Sequence, residues 1–585
     1  MRLMRWAVAA ALFLAATPAQ AQAQQAARPN IVLILADDVG FTDLAAYGGE
    51  ARTPNIDRLA QSGAQFSRYY TSPLCSPSRA MLLTGLDNHR TGHATIIEVL
   101  PPEMRGRPGY SMRLEPGVVT VAERLRRSGY RTFVTGKWHL GHGEGDLPDA
   151  HGFDRSFVLD ASGADNWEQR PYMPYYRSAD WFEDGAPARL PRDFYSSQFI
   201  VDRMIQYLEE DDRRDAPFFA YLAFQAVHIP VQAPREYTER YNGVYDRGWE
   251  DLRAQRWRRA QMLGLIPEAA PLGPAHPSFR RWDALSGDER AIYARSMQVH
   301  AGMIEAMDHH IGRFIAYLQQ RGLAENTIFV VTSDNGPEPS NPIAEPDFVR
   351  WMQLQGGYTR RLEDLGERRS FVFIGPEWAN ATAGGALYKF TTAEGGVRAP
   401  MIMAGPGIAA QRIDARAFVT DVAPTLLERA GVGIDAAEID GRSINPVLNG
   451  QAGEVRGPEH AVGMEVSGHS ALYRGDYKLL RTPPPLGDGT WRLYDLARDP
   501  GETNDLSTQM PELAAAMLAD YGAYAERVGV LELPPGYDAQ RQVAHNVRMK
   551  HLEHYWWVLA LAAGLLLGLG YGAVRLVRGA MRRRA

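Results

Sequence analysis

At 585 residues, 45% of them apolar and 23% charged, the chain has the balance of a globular protein with material for a large core, which excludes wholesale disorder and a collagen-like fibre. A net charge of -6 gives no basic field to hold a polyanion, so nucleic acid is excluded as a partner. Only four of its 63 basic residues are lysines, Lys137, Lys389, Lys478 and Lys550, and each marks a candidate place for a compact ammonium in a chain that otherwise uses arginine.

Residues 1–23 carry Arg2 and Arg5, an apolar run over 6–16, and small residues at Ala19, Ala21 and Ala23, the pattern of a cleaved signal peptide. The run is about half the ~20 residues a spanning helix needs. A strand is expected over 31–36, ending at Asp37-Asp38. The segment 71–79 is a loop running into a short helix, with Pro77 in its first turn and Cys75 at its N-terminus beside Arg79, where backbone N–H groups favour an anion. Cys75 is the sole cysteine, so no intramolecular disulfide forms; from context alone it is either an inert loop thiol or a reactive one.

A helix over 120–128 precedes a strand over 131–134, which leads into Lys137 and His139, two apart and on one side of an extended segment. A strand over 218–224 precedes His228. The Arg- and Trp-rich stretch 249–259 reads as a solvated helix face, and 291–320 as a long amphipathic helix in which His309 and His310 are structural. The strand 328–331 ends at Asp334-Asn335. Trp351, Tyr358, Phe371, Phe373 and Trp378 read as an exposed wall of a substrate pocket. A last strand over 401–404 ends in Gly405-Pro406-Gly407.

Short apolar strands alternating with helices predict an α/β fold with a mostly parallel sheet covered on both faces, its ligand beyond the carboxyl ends of the strands. Each Asp-Asp or Asp-Asn-Gly is also what an ordinary turn looks like. Taken together, three carboxylates and an amide oxygen form the oxygen set that suits Ca²⁺ or Mg²⁺.

Residues 555–574 are uncharged and mostly apolar, entered through Tyr555, Trp556 and Trp557 and left through Arg575, Arg578, Arg582, Arg583 and Arg584. That is the length of a transmembrane helix with an aromatic belt on one side and the positive-inside charge on the other. The expectation is an exported body in the periplasm, anchored in the inner membrane, with a cytoplasmic tail over 575–585. Gly564, Gly568 and Gly572 would let two such helices pack closely, so a dimer stays open.

Cys75-Ser-Pro-Ser-Arg79, followed by Gly129-Tyr-Arg-Thr-Phe-Val-Thr-Gly-Lys137-Trp-His139, resembles the two signatures of the type I sulfatases. The likeness runs from about Pro29 to about Leu506 and is strongest to bacterial arylsulfatases. It includes the stretches 226–234, 387–398 and 493–501. The resemblance implies an alkaline phosphatase-like α/β domain, here 28–445, and a smaller C-terminal domain with an antiparallel sheet, 446–535, followed by a linker over 536–554.

It also implies that Asp37, Asp38, Asp334 and Asn335, with the residue made from Cys75, hold one divalent ion, Ca²⁺ in the bacterial arylsulfatases. A maturation enzyme would oxidise Cys75 to formylglycine, whose hydrated aldehyde is the nucleophile. Arg79, Lys137, His139, His228 and Lys389 would surround the sulfate and the hydrated aldehyde. Among these parts His228 is the candidate for protonating the leaving oxygen and His139 for taking the proton of the second hydroxyl. The expected activity is hydrolysis of sulfate monoesters. The alternatives are a phosphodiesterase or phosphonate monoester hydrolase of the same superfamily, or a tethered binder of sulfated ligands without catalysis.

Overall fold

The computed structural model describes residues 28–341, 346–354, 358–359 and 361–583, so the expected signal peptide lies outside the described residues. Its strands in chain order are β1 (Asn30–Ala36), β2 (Ala64–Phe66), β3 (Tyr69–Tyr70), β4 (Arg131–Lys137), β5 (Arg155–Leu159), β6 (Trp181–Glu183), β7 (Ala186–Ala188) and β8 (Phe218–Ala223). There follow β9 (Thr327–Ser333), β10 (Met401–Ala404), β11 (Gln411–Ile413), β12 (Ala417–Phe418), β13 (Val462–Val466), β14 (His469–Arg474), β15 (Tyr477–Arg481) and β16 (Trp491–Asp495).

Ten of them form one sheet in the order β11-β2-β10-β9-β1-β8-β4-β5-β6-β7. The centre, β9-β1-β8-β4-β5, is parallel. Every residue of β1, β4, β8 and β9 is buried, because helices cover both faces and leave neither side of the alternation to water. One core forms around Val32, Ile34, Phe218, Ala220 and Leu222 with the long helix Gly287–Gln320; the other forms around Ile31, Leu33 and Phe219 with the helix Cys75–Thr84.

Parallel strands bring their carboxyl ends to one edge, so the residues after β1, β4, β8 and β9 meet there. β10 differs from the expectation: it runs antiparallel to β9, so Gly405-Pro406-Gly407 lies at the far edge. The segment that precedes β10, which carries Lys389, is what reaches the site edge.

Two further expectations are corrected. The stretch 249–259 is helical but far from solvated: Trp249, Leu252, Arg256 and Trp257 are buried, and Arg256 pairs with Asp43 at 2.6 Å and Glu50 at 2.6 Å. Tyr358, Phe371, Phe373 and Trp378 are buried too, and only Trp351 of that group is half-buried. Phe371 meets Tyr358 and Phe373 edge-on, and Trp378 packs against Trp249 and Trp282. Aromatics spread through an irregular segment carry no period that separates a packed loop from an exposed one.

β13-β14-β15-β16 form an antiparallel meander covered by the helix Pro511–Val528. Its other face packs on Tyr70, Val397 and Phe418. Between the two sits Lys478, fully buried, with its ammonium 3.0 Å from Glu394 and 2.7 Å from Glu502. Burial would lower its pKa, but the two carboxylates hold it well above the usual lysine range. Removing the cation leaves two buried acids without a counter-ion, so Lys478→Met is expected to cost about 3–5 kcal/mol, read from chemical denaturation. A loss within the scatter of surface substitutions would contradict this.

The last helix, Ala539–Arg582, is continuous. The expected linker over 536–554 is therefore largely helical, and the same helix runs on through the apolar stretch, which is long and apolar enough to cross a membrane.

Candidate active site

β1 delivers Asp37 and Asp38. Successive side chains of a strand point to opposite faces, but Asp38 has φ 63°, which breaks the alternation. Both carboxylates then face Cys75, whose Sγ lies 3.6 Å from Asp37 Oδ1 and 3.9 Å from Asp38 Oδ1. An aspartate tolerates this left-handed conformation better than a branched residue.

Cys75 opens the helix Cys75–Thr84, all ten residues of which are buried. One turn on, Arg79 contacts Asp334 through Nε at 2.9 Å and Nη2 at 2.8 Å, and Asp37 at 3.3 Å. Its Nη1 donates to the Lys137 carbonyl at 2.9 Å, tying the helix to the end of β4. Lys137 Nζ sits 2.6 Å from Asp37 Oδ2. Lys389 Nζ sits 2.7 Å from Asp38 Oδ1 and 2.9 Å from Glu338.

After β9, Asn335 Nδ2 donates to Asp38 Oδ1 at 2.6 Å. After β8, His228 places Nε2 3.8 Å from Asp38 Oδ2, and its Nδ1 is 2.6 Å from the Ile229 carbonyl. A neutral ring with Nδ1–H donating to that carbonyl leaves the Nε2 lone pair facing the site. Gly163 lies so close that a Cβ there would be 2.7 Å from His228 Nδ1. His139 is buried with Nδ1 unpartnered.

The structure thus brings together every residue singled out in the sequence: Asp37, Asp38, Cys75, Arg79, Lys137, His228, Asp334, Asn335 and Lys389 by direct contact. His139 joins them through its carbonyl, which accepts from Ser76 Oγ at 2.7 Å, one residue after Cys75. Sequence reasoning missed Glu338, buried beside Lys389; its signal was a carboxylate four residues after Asp334 in the same post-strand loop. It also missed Tyr172, whose ring stands edge-on to His228 at 5.2 Å.

The electrostatics are those of a crowded acidic pocket. Burial, with Asp334 beside it, pushes Asp37 above the usual carboxylate range, and burial does the same to Asp38 despite Lys389. Burial would also raise Asp334, but Arg79 and then Lys137 hold it below that range. Burial lifts the Cys75 thiol well above its ordinary value. It drives both histidines well below theirs, with Lys137 adding to the effect, so both rings are neutral.

Asp37, Asp38, Cys75 and Asp334 each place one ligand atom within 4.8 Å of the others. Asp38 Oδ2 and Asn335 Oδ1 are buried and accept no hydrogen bond. Unsatisfied oxygens beside carboxylates that resist ionising fit a hard divalent ion, and the donor set is oxygen-rich as Ca²⁺ and Mg²⁺ require.

The profile of the family described as "Sulfatase" matches residues 29–432. The chain belongs to the sulfatase family. A second profile, "N-sulphoglucosamine sulphohydrolase, C-terminal", matches residues 387–520 of this sulfatase. An uncharacterised sulfatase of Schizosaccharomyces pombe is 34% identical over 88% of this chain and 96% of its own length. The arylsulfatase of Klebsiella aerogenes is 37% identical over 70% of this chain and 89% of its own. Among solved structures, Ps i-CgsB in complex with k-i-k-neocarrahexaose superposes with a TM-score of 0.61 at 21% identity, covering 90% of this chain and 98% of that one, which speaks to fold.

This sulfatase is a type I family member and a sulfuric ester hydrolase. Members of the family work with a metal ion and a formylglycine.

Proposed function

We propose that this chain is an arylsulfatase-type enzyme in which Asp37, Asp38, Asp334, Asn335 and the residue matured from Cys75 hold a Ca²⁺ ion, and Arg79, Lys137, His139, His228 and Lys389 carry the reaction. The observation that supports it best is the convergence of Cys75, three aspartates, two lysines and two neutral histidines in one buried pocket at the carboxyl ends of β1, β4, β8 and β9.

The bound ion would polarise a sulfate oxygen as a Lewis acid and lower the pKa of a nearby hydroxyl. Formylglycine at position 75, made by a maturation enzyme, supplies a hydrated aldehyde as the nucleophile. The chain's own groups do the rest. Lys137 and Lys389 are fixed by Asp37 and Asp38, so they disperse negative charge on the sulfate without reorganising. Four carboxylates, Asp37, Asp38, Asp334 and Glu338, face three cations, Arg79, Lys137 and Lys389, so a divalent ion and a singly charged ester together bring the pocket to neutrality.

His139, neutral and unpartnered at Nδ1, is the base available near residue 75. His228 presents Nε2 toward the site and is the group placed to act as the acid on the leaving oxygen; burial, then Lys137 and Lys389, hold it neutral, and an anionic ester would counter the two lysines. The helix Ala539–Arg582 would anchor the body at the inner membrane, with the catalytic domain in the periplasm and the Arg-rich end in the cytoplasm. The domains would divide at about residue 445.

The matured enzyme is expected to prefer 4-nitrophenyl sulfate over bis(4-nitrophenyl) phosphate by at least about 10² in kcat/KM. A preference for the phosphate diester would move the assignment to the phosphodiesterase branch.

A further inference from the structure

The first half of the helix Ala539–Arg582 lies against the rim of the active site. Asn546 is fully buried and donates from Nδ2 to the Glu98 carbonyl at 2.9 Å and the Leu100 carbonyl at 3.0 Å. Tyr537, just before the helix, donates to the Val99 carbonyl at 2.9 Å. Ala539 and Val543 pack into a cluster with Leu74, Ile96, Val99 and Phe390. Two of those are the chain neighbours of Cys75 and Lys389.

The shielded positions include Ala539, Val543, Asn546, Lys550 and His554 at helical spacing, and beyond His554 Gly572 alone among the described residues is not exposed. Tyr555 to Trp557 and the apolar residues beyond are exposed on all sides. No flexible segment intervenes between the docked stretch and the stretch that would enter a bilayer. From Asn546 to Tyr555 is about 14 Å along a helix.

A row of tyrosines joins the docking loop to the site. Tyr172 meets His228 at 5.2 Å and Tyr176 at 6.3 Å, and Tyr176 meets Tyr175 at 5.1 Å. Tyr176 donates to Glu98 at 2.6 Å, on the same loop that holds Asn546. Tyr172 and Tyr175 are buried and Tyr176 is half-buried, so these packed rings form a rigid bridge from His228 to the loop on which the helix docks.

We propose that the natural substrate is the sulfate ester of a membrane amphiphile, taken from the bilayer at the foot of the docked helix, beside the chain neighbours of Cys75 and Lys389. This rests on the sulfatase and anchor readings above. A soluble sulfate ester needs no fixed geometry between site and membrane; an ester whose body stays in the lipid needs the mouth held at the interface, which is what a docked, uninterrupted helix does.

The test uses the matured full chain reconstituted in phosphatidylcholine vesicles, with 4-methylphenyl sulfate and 4-hexadecylphenyl sulfate, which share leaving-group chemistry. The long-chain ester placed in the enzyme's own vesicles is expected to turn over at least about tenfold faster than the same ester in separate vesicles. A flexible Gly/Ser insertion of a dozen or so residues after Met549 lifts the body while keeping Asn546 docked; it should abolish that advantage and leave 4-methylphenyl sulfate unchanged. Asn546→Asp, which loses both donors to the rim, should do the same. An advantage that survives both changes would reduce the helix to a tether and overturn the proposal, as would an advantage absent from the start. If 4-methylphenyl sulfate is not hydrolysed at all, the sulfatase reading falls first and takes this one with it.

Discussion

Cys75→Ala is expected to lower turnover of sulfate esters by at least about 10⁴-fold, the scale of losing a nucleophile. The reason lies in the pocket. Cys75 is buried beside two carboxylates, and burial holds its thiol protonated. An unmodified thiol there is a poor nucleophile, since the thiolate is the reactive form. Chain made in a host without the maturation system should therefore be folded and equally inactive, with a plain thiol in the tryptic peptide spanning 69–79. Active chain should give a lighter peptide carrying an aldehyde. Cys75→Ser separates the two halves of the reaction: serine has one hydroxyl where the hydrated aldehyde has two, so it can accept the sulfo group and has no second hydroxyl with which to expel it. Mass spectrometry should find that peptide heavier by one sulfo group after a single turnover. Rapid continued cycling by the serine variant would sink the assignment.

Chelation of the metal should have the next largest consequence, on activity and on stability together. A ligand present at ~1,000 times its Kd adds about 4 kcal/mol to folding, and Ca²⁺ should restore what EDTA removes. The pH dependence carries the diagnostic sign. In the metal-free chain Asp37 and Asp38 are raised above their unfolded values, so the folded state holds protons that the unfolded chain has released. That contribution is complete below ~pH 4, the unfolded value, and is lost as pH rises toward the raised ones. Metal binding needs those carboxylates ionised and strengthens with pH. Melting curves with Ca²⁺ and with EDTA should draw apart between about pH 5 and pH 8. A constant gap would mean that the ion does not sit on Asp37 and Asp38.

Much of this site is legible because parallel strands impose a geometry: polar residues after apolar strands must gather at one edge, which is how Asp37, Asp38, His228 and Asp334 come to share a pocket. Lysine scarcity was the other clue, and it reached further than Lys137 and Lys389, since Lys478 is also buried between acids. What the sequence hides is direction and depth. Four apolar residues look alike whichever way they run, so β10 could not be oriented. Glu338 looks like any loop acid until Lys389 is brought to it from a distant part of the chain. The segment before Tyr555 resembles a polar linker because of its charges; only the spacing of Ala539, Val543 and Asn546 marks a docked face.

The single cysteine has a practical consequence. The proposed maturation consumes the chain's sole thiol, so a fully matured molecule would carry none. Thiol reagents and disulfide reductants should leave its fold and activity alone, and a fully matured molecule cannot form a disulfide-linked dimer. A maleimide applied after unfolding would label immature molecules alone, giving a direct count of how much of a preparation was ever switched on.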